Sequence, residues 1–446
     1  MTEQFRPSAD FYQQHTSAVR AAFDGAMDAA GADTVVVFSG ALRYAFLDDI
    51  SYPFQANPHF MYWLPVTEVP DSYIIYQRGE TPILAYCQPD DYWHSLPEAP
   101  DPYWAEHFDV RITRSAADAR SHLPEMTKSP ILIGEIQDAS QALGIDRINP
   151  RAALHWLDIA RTAKSDYEIT LMREASRLGA IAHSAAADAF GSGSISEYTL
   201  HQAYLNAINY VDTDLPYHSI VGLNEHAAVL HYQHRDRQPP AELRTFLIDA
   251  GASCHGYASD ITRTYATQQG LFADLLTGME TLQQEVCSRV VSGADYRQLH
   301  NETHTLLAEL LVATEIGRGS AEGLVESGIS RALLPHGLGH YLGLQVHDVG
   351  GHLADAQGTP TERPATDPNL RLTRTLGDNE VLTIEPGVYF IDMLLAPVRA
   401  SRHAALLNWD AIDTLMPFGG IRIEDNVRVN GNTPENLTRK AFASLS

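Results

Sequence analysis

Short apolar runs recur through the first third of the chain, at residues 34–38 (TVVVF), 72–76 (SYIIY), 83–87 (ILAYC) and 131–133 (ILI). Runs of this length and composition predict strands, and residues 11–30 show helical periodicity. Strands alternating with helices predict an α/β layer domain over residues 1–160. Near residue 160 the pattern lengthens. Ser165-Asp166-Tyr167-Glu168 reads as a capping box that starts a helix, Gly191 and Gly193 punctuate, and Ser194-Ile195-Ser196-Glu197 repeats the signal before a second helix to about Asn209. The boundary therefore falls between Trp156 and Ser165, leaving 161–446 as a second domain. There, strands predicted at 245–249, 259–265, 381–385 and 420–429 alternate with helices, so the class is α+β. Two segments echo each other, Leu247-Ile248-Asp249-Ala250-Gly251 and Thr383-Ile384-Glu385-Pro386-Gly387, hinting at a duplicated half-domain. Residues 353–370, rich in Pro, Thr and Asp, predict a long surface loop.

Composition narrows the function. The 446 residues are 44% hydrophobic and 20% charged, a balance that supports real cores and excludes disorder. Lys and Arg number 31 against 56 Asp and Glu, for a net charge of -25. Such a surface repels phosphate backbones and attracts cations, which argues against nucleic-acid partners. Three cysteines, Cys87, Cys254 and Cys287, lack CxxC spacing, so a reducing compartment is expected. Residues 1–11 carry Glu3, Arg6 and Asp10 with no apolar core of a secretory signal. The longest apolar stretch, 306–313, is short and interrupted by Glu309, so no membrane span is expected. The expectation is a soluble cytoplasmic protein.

Candidate chemistry concentrates in the second domain. If a hairpin closes around residues 253–256, Asp249 and Asp260 stand opposite each other. Two carboxylates at cross-strand distance repel unless a cation sits between them. Glu385 likewise ends an apolar strand. Residues 421–427 alternate with period two, which places Arg422, Glu424 and Asn426 on one face; a salt-bridged polar face is the simple alternative there. His336, His340 and His347 cluster beside glycines, and Pro335, Gly337 and Gly339 favour a loop that presents imidazoles over a helix. Four carboxylates with one histidine suit a pair of divalent ions, Mn²⁺, Co²⁺ or Zn²⁺ rather than thiolate-dependent metals.

Asp249, Asp260, the HGLGH segment ending at His340, Glu385 in TIEPG and Glu424 in GIRIED together resemble the dinuclear site of the pita-bread metallopeptidases. Within them the chain resembles the bacterial Xaa-Pro dipeptidases, or prolidases, a group that includes organophosphorus acid anhydrolases. DDISYPFQANPHF, PDDYWH, HAAVLHY and LGLQVHDVGG extend the likeness over essentially the whole chain. The resemblance implies a pita-bread catalytic domain and two ions bridged by Asp260 and Glu424, with Asp249 completing one and His340 and Glu385 the other. It implies hydroxide attack on the peptide carbonyl, Glu385 as proton shuttle, and His347 and His231 as assisting imidazoles. Arg371 matches the arginine that meets the substrate carboxylate. Arg422 lies beside the metal face, and for either arginine a structural salt bridge is the alternative. His336, Tyr217 and Val346 resemble substrate-pocket positions. Asp48 or Asp49 resembles the acid lent to the pocket by a partner subunit, which implies a homodimer.

The resulting expectation is a Mn²⁺-dependent Xaa-Pro dipeptidase with possible phosphotriester hydrolysis. Two alternatives stand beside it, an aminopeptidase acting on longer Xaa-Pro peptides and a metal-free binding scaffold. All five ligand positions are filled by ligating residues, which speaks against the scaffold.

Overall fold

The computed structural model describes residues 5–93, 95–122, 129–136, 141 and 143–445. His94, which closes the PDDYWH segment, and Glu3 lie outside them. The chain divides into two compact units, the first made of residues 1–171, 254–257 and 353–360 and the second of the remainder.

The first unit is built on a five-stranded mixed sheet. Its strands are β1 (Thr34–Phe38), β2 (Tyr73–Gln77), β3 (Ile83–Cys87), β4 (Asp109–Thr113) and β5 (Pro130–Ile133), in spatial order β4-β3-β2-β1-β5. β1 and β3 stand where their apolar runs predict. β4 was not expected, because Asp109-Val110-Arg111-Ile112-Thr113 is an edge strand facing solvent and carries no continuous apolar run. β1 lies inside the sheet and all five of its residues are buried, which is why it reads TVVVF. The helix Ala9–Ala30 starts on Ser8, whose hydroxyl accepts from Phe11 N, and stops at Gly31 with φ 59°.

Ser165 and Glu168 form the expected capping box at the head of the helix Asp166–Gly191. Ser165 N donates to Glu168 Oε2 at 2.8 Å, and Glu168 N donates to Ser165 Oγ at 3.3 Å. The second predicted box fails. The helix Glu197–Ile208 is capped by Ser196, two residues after Ser194, and the Glu197 carboxylate turns inward instead. Its four hydrogen-bond donors are Leu223 N, His226 Nδ1, Tyr232 Oη and Asp236 N, at 2.7–2.9 Å.

Ten further strands follow along the chain, β6 (Ile220–Leu223), β7 (Thr245–Asp249), β8 (Ser253–Cys254), β9 (Tyr257–Ala258), β10 (Thr262–Ala266), β11 (Val381–Ile384), β12 (Gly387–Tyr389), β13 (Gly420–Arg422), β14 (Asp425–Arg428) and β15 (Glu435–Asn436). β6, β7 and β10 form one antiparallel sheet, β11 pairs with β14, and β12 pairs with β13. One expectation is corrected here. Asp249 lies opposite Thr262, and Asp260 sits two residues before that position, outside the ladder. The turn between β8 and β9 is centred on His255 (φ 50°) and Gly256 (φ 86°), one residue later than assumed. Two successive positive φ values are the signature of a tight two-residue hairpin turn, and Gly256 supplies the second without strain.

The predicted strand 420–429 is also two strands, interrupted at Ile423 and Glu424. Its partner is interrupted at Glu385 and Pro386. Pro386 has no N–H to give a ladder. Because Ile384 pairs with Asp425 and Gly387 with Arg422, the two interruptions coincide, and Glu385 and Glu424 meet across one gap. Residues 353–370 contain no helix or strand, as predicted, apart from a single bridge between Leu353 and Pro360.

Candidate metal centre

The strands of the second unit deliver the acids to one place. β10 runs beside the 422–424 segment: Glu424 N donates to Thr262 O at 3.1 Å and Arg422 N to Thr264 Oγ1 at 3.2 Å. On the far side of β11 lies the 338–342 loop. Thr383 N donates to His340 O, and Glu385 N to Leu338 O, both at 2.9 Å. This close approach needs glycine: a Cβ on Gly339 would stand 2.1 Å from Thr383 O. The HGLGH segment is therefore a loop, as its glycines and proline predict, and its course fixes His340 beside Glu385.

Asp260, His340 and Glu424 are buried and present ligand atoms all within 4.8 Å of one another. His340 Nε2 lies 3.4 Å from Asp260 Oδ2 and 3.8 Å from Glu385 Oε1. Its other nitrogen, Nδ1, sits 2.9 Å from Tyr341 O. A proton held there leaves Nε2 as a lone pair aimed at the acids, the usual arrangement of a ligating imidazole. Glu424 Oε2 accepts from Thr262 Oγ1 at 2.7 Å. Asp249 Oδ2 accepts from Arg422 Nη2 at 2.7 Å, and Asp249 Oδ1 lies 2.8 Å from the Tyr217 hydroxyl. The same hydroxyl reaches Asp260 Oδ1. Asn426 brackets the Asp260 backbone, accepting from Asp260 N at 3.0 Å and donating to its carbonyl.

The electrostatics point toward cations. Burial pushes Glu385 up to about 7 against the pull of His340 and Arg422, pushes Glu424 well above its ordinary value with Asp260 and Glu385 adding, and raises Asp249. Asp260 is lowered because hydrogen bonding and charge from His340 overcome its burial. Four carboxylates, Asp260 and Glu424 buried and Asp249 and Glu385 half-buried, share Arg422, one imidazole and one phenolic proton. That deficit of positive charge is what a pair of divalent ions would offset, so the oxygen-rich donor set fits them.

Around the acids lie the remaining expected residues. His336 Nε2 is 2.8 Å from Tyr389 Oη, and that hydroxyl accepts from Arg422 Nη1 at 2.9 Å, a relay running from arginine through tyrosine to histidine. His347 packs edge-on against His340 with ring centroids 4.4 Å apart, and burial, aided by His340 and Arg371, pushes it down to about 4. His231 is exposed but close enough to act electrostatically on both His336 and His347. Val346 is half-buried in the 343–347 turn. The two arginines differ. Arg422 is buried and committed to Asp249, Tyr389 and Thr262, whereas Arg371 is exposed and has no ion-pair partner among the described residues. Asp48 and Asp49 are exposed in the first unit. Asp48 Oδ1 accepts from the amides of Asp49 and Ile50, while no partner holds the Asp49 carboxylate among the described residues.

Two residues of this arrangement, Thr262 and Tyr389, carried no sequence signal, and Asn426 was legible only as part of the polar face it shares with Arg422 and Glu424. Thr262, Tyr389 and Asn426 are ordinary polar residues in strands, and only the strand register reveals that they orient Glu424, His336 and Asp260.

A pita-bread fold with four carboxylates and an imidazole gathered at the ends and breaks of its strands defines a metal-dependent hydrolase. The chain belongs to metallopeptidase family M24, whose model matches residues 170–431, and the N-terminal domain of Xaa-Pro dipeptidase matches residues 10–159. Its relatives include the Xaa-Pro dipeptidases of Shewanella pealeana, 46% identical over 91% of this chain and 92% of that one, and of Stenotrophomonas maltophilia R551-3, 45% identical over 98% of each. Among solved structures, an Escherichia coli aminopeptidase P variant superposes with TM-score 0.73 at 21% identity over 98% of this chain and 96% of that one. Proline aminopeptidase P II from Yersinia pestis gives 0.72 at 21% over 99% and 100%. At that identity the structures establish the fold alone.

Proposed function

We propose that the chain is a dinuclear Xaa-Pro dipeptidase, in which Asp249, Asp260, His340, Glu385 and Glu424 would hold two divalent ions. The convergence of Asp260, His340 and Glu424 in one buried cluster carries this reading. When bound, the ions would supply a hydroxide near neutral pH and polarise the scissile carbonyl. Mn²⁺ suits the oxygen-rich set, with Co²⁺ and Zn²⁺ as substitutes.

The chain's own residues supply the rest. Glu385, which stands 3.7 Å from His336 and 3.8 Å from His340, is placed to move a proton to the departing proline nitrogen. His347 and His231 donate to charge that develops on the reacting carbonyl. Arg371 reads the free carboxylate of the dipeptide, and its lack of an ion-pair partner among the described residues favours that role over a structural salt bridge. Arg422 is read as the partner of Asp249, holding that ligand in place. His336, Tyr217 and Val346 shape the pocket.

The relatives' shared designation as Xaa-Pro dipeptidases favours dipeptides over longer substrates. A homodimer is supported by a protruding 44–52 segment, where Phe46 is 89% and Leu47 91% exposed beside Asp48 and Asp49. Asp49, whose carboxylate has no partner among the described residues, is the acid assigned to a partner's pocket. Cys87, Cys254 and Cys287 are buried and joined by no disulfide among the described residues, which suits a reducing cytoplasm, and no described helix is long and apolar enough to cross a membrane. Phosphotriesters and fluoridates are a proposed side activity, since the same nucleophile can attack tetrahedral phosphorus.

Hydrolysis of Leu-Pro and Leu-Pro-Gly by the Mn²⁺-loaded protein tests the substrate reading. Turnover confined to the dipeptide is expected. Equal cleavage of the tripeptide moves the assignment to an aminopeptidase.

A further inference from the structure

Apart from these acids, the helix Tyr296–Ala313 carries His300 and His304 four residues apart, on one face. Each is 1% exposed, and neither nitrogen of either ring has a hydrogen-bond partner among the described residues. Buried polar groups are almost always satisfied, so four unpartnered ring nitrogens in one place need a cause. Asp367 faces them. Its Oδ1 lies 3.2 Å from His300 Nε2 and 3.9 Å from His304 Nε2, and the charge of His300 helps hold that carboxyl below the usual carboxylate range. The two rings stand nearly perpendicular, at 81°, with centroids 4.7 Å apart.

Ligand atoms of all three residues lie within 4.8 Å of one another, a spacing that suits a metal ion. Bonds of about 2.0–2.2 Å in a tetrahedral site hold ligand atoms roughly 3.3–3.6 Å apart. In the centre described above, the corresponding distances from His340 Nε2 are 3.4 and 3.8 Å. Those of the second cluster, 3.2 and 3.9 Å, are similar. Asp367 is held from the other side by Arg331, whose Nε donates to Oδ1 at 2.7 Å and Nη2 to Oδ2 at 3.1 Å, and by Thr366 Oγ1 at 2.6 Å. Outer donors of this kind orient a ligating carboxylate. Burial, with His300 and Arg331 adding, pushes His304 down to about 3, which keeps its lone pair available.

We propose that His300, His304 and Asp367 form a separate binding site for a divalent transition ion of the zinc class, with water completing its coordination. Two imidazoles and one carboxylate suit that class better than calcium or magnesium. The ion would tie the helix 296–313 to the segment four residues before Arg371, and so brace the arm that carries the proposed carboxylate reader. None of its ligands belongs to the Asp260 centre.

Crystals of the intact protein grown with Zn²⁺, measured at the zinc absorption edge, test the site without a substitution. An anomalous peak among His300, His304 and Asp367 is expected. Density of water height with no anomalous signal there overturns the proposal. A peak at this cluster with none at Asp260 would instead count against the dinuclear reading, so the two failures are told apart. In solution, Zn²⁺ content after loading and desalting should fall by one ion per chain in His304→Gln relative to the unsubstituted protein. Equal contents overturn the proposal.

Discussion

The two acid-bearing strand pairs of the catalytic unit begin from similar sequence, LIDAG and TIEPG, and place their carboxylates by different means. In the first pair, β7 and β10 keep an unbroken ladder, Asp249 ends it opposite Thr262, and Asp260 lies beyond it on the way to the His255-Gly256 turn. In the second, both strands break at the same level, and Glu385 and Glu424 meet across the gap. The first pair depends on a turn and the second on Pro386 and a shared interruption. A sequence echo can thus mark equivalent roles without equivalent geometry.

The largest expected effect comes from removing the acid that each pair is proposed to contribute to the metal site. Outer-sphere changes cost about 10–100-fold, so Asp260→Asn and Glu424→Gln, which each delete a charged ligand, should lower kcat/KM on the order of 1,000-fold and lower bound metal in parallel. Peptidase assays with metal analysis check this, and a variant retaining full activity would break the equivalence of the two pairs. Arg422, on the second pair, neutralises Asp249 on the first. Arg422→Met should cost about 3–5 kcal/mol in metal-free protein by stranding a buried charge, measured by urea unfolding. Arg371→Ala should leave stability unchanged and raise KM for dipeptides about 10- to 100-fold with little change in kcat, since a charge-assisted contact is worth about 1.5–3 kcal/mol.

Smaller effects sharpen the picture. Asp425 on β14 meets Arg263 on β10 and also Arg439, joining the pairs. Burial alone would raise it, but the two guanidiniums hold it at about 2 against an ordinary 3.8. Its folded value is depressed, so its contribution, on the order of 2 kcal/mol, is present above pH 4 and lost as pH falls toward 2. Asp425→Asn should flatten that acid limb in a stability–pH series. Gly256→Ala should cost about 1 kcal/mol, because φ 86° is strained for any residue with a Cβ; a melting curve reads it directly.

What the chain showed in advance follows the physics of each signal. The apolar runs of β1, β3 and β7 and the Ser165 capping box are local, and they stand where they were expected. Asp249 and Glu385 were visible as candidate ligands because a charged residue ending an apolar strand has no simple structural reason. The facing of Asp249 and Asp260 was misjudged by one turn residue, and a slip of that size changes every cross-strand partner. The meeting of Glu385 with Glu424 and the His300–Asp367 cluster depend on segments far apart in sequence. His300 and His304 did carry a signal, two histidines four apart on a helix, but Asp367 comes from 63 residues further on.

The central claim is that the two strand pairs together hold a functional metal pair. Titrating chelator-treated protein with Mn²⁺ while following Leu-Pro hydrolysis tests it most directly. The account predicts no turnover without metal and activity that reaches its plateau only when both ions are bound. Full activity in verified metal-free protein would contradict it.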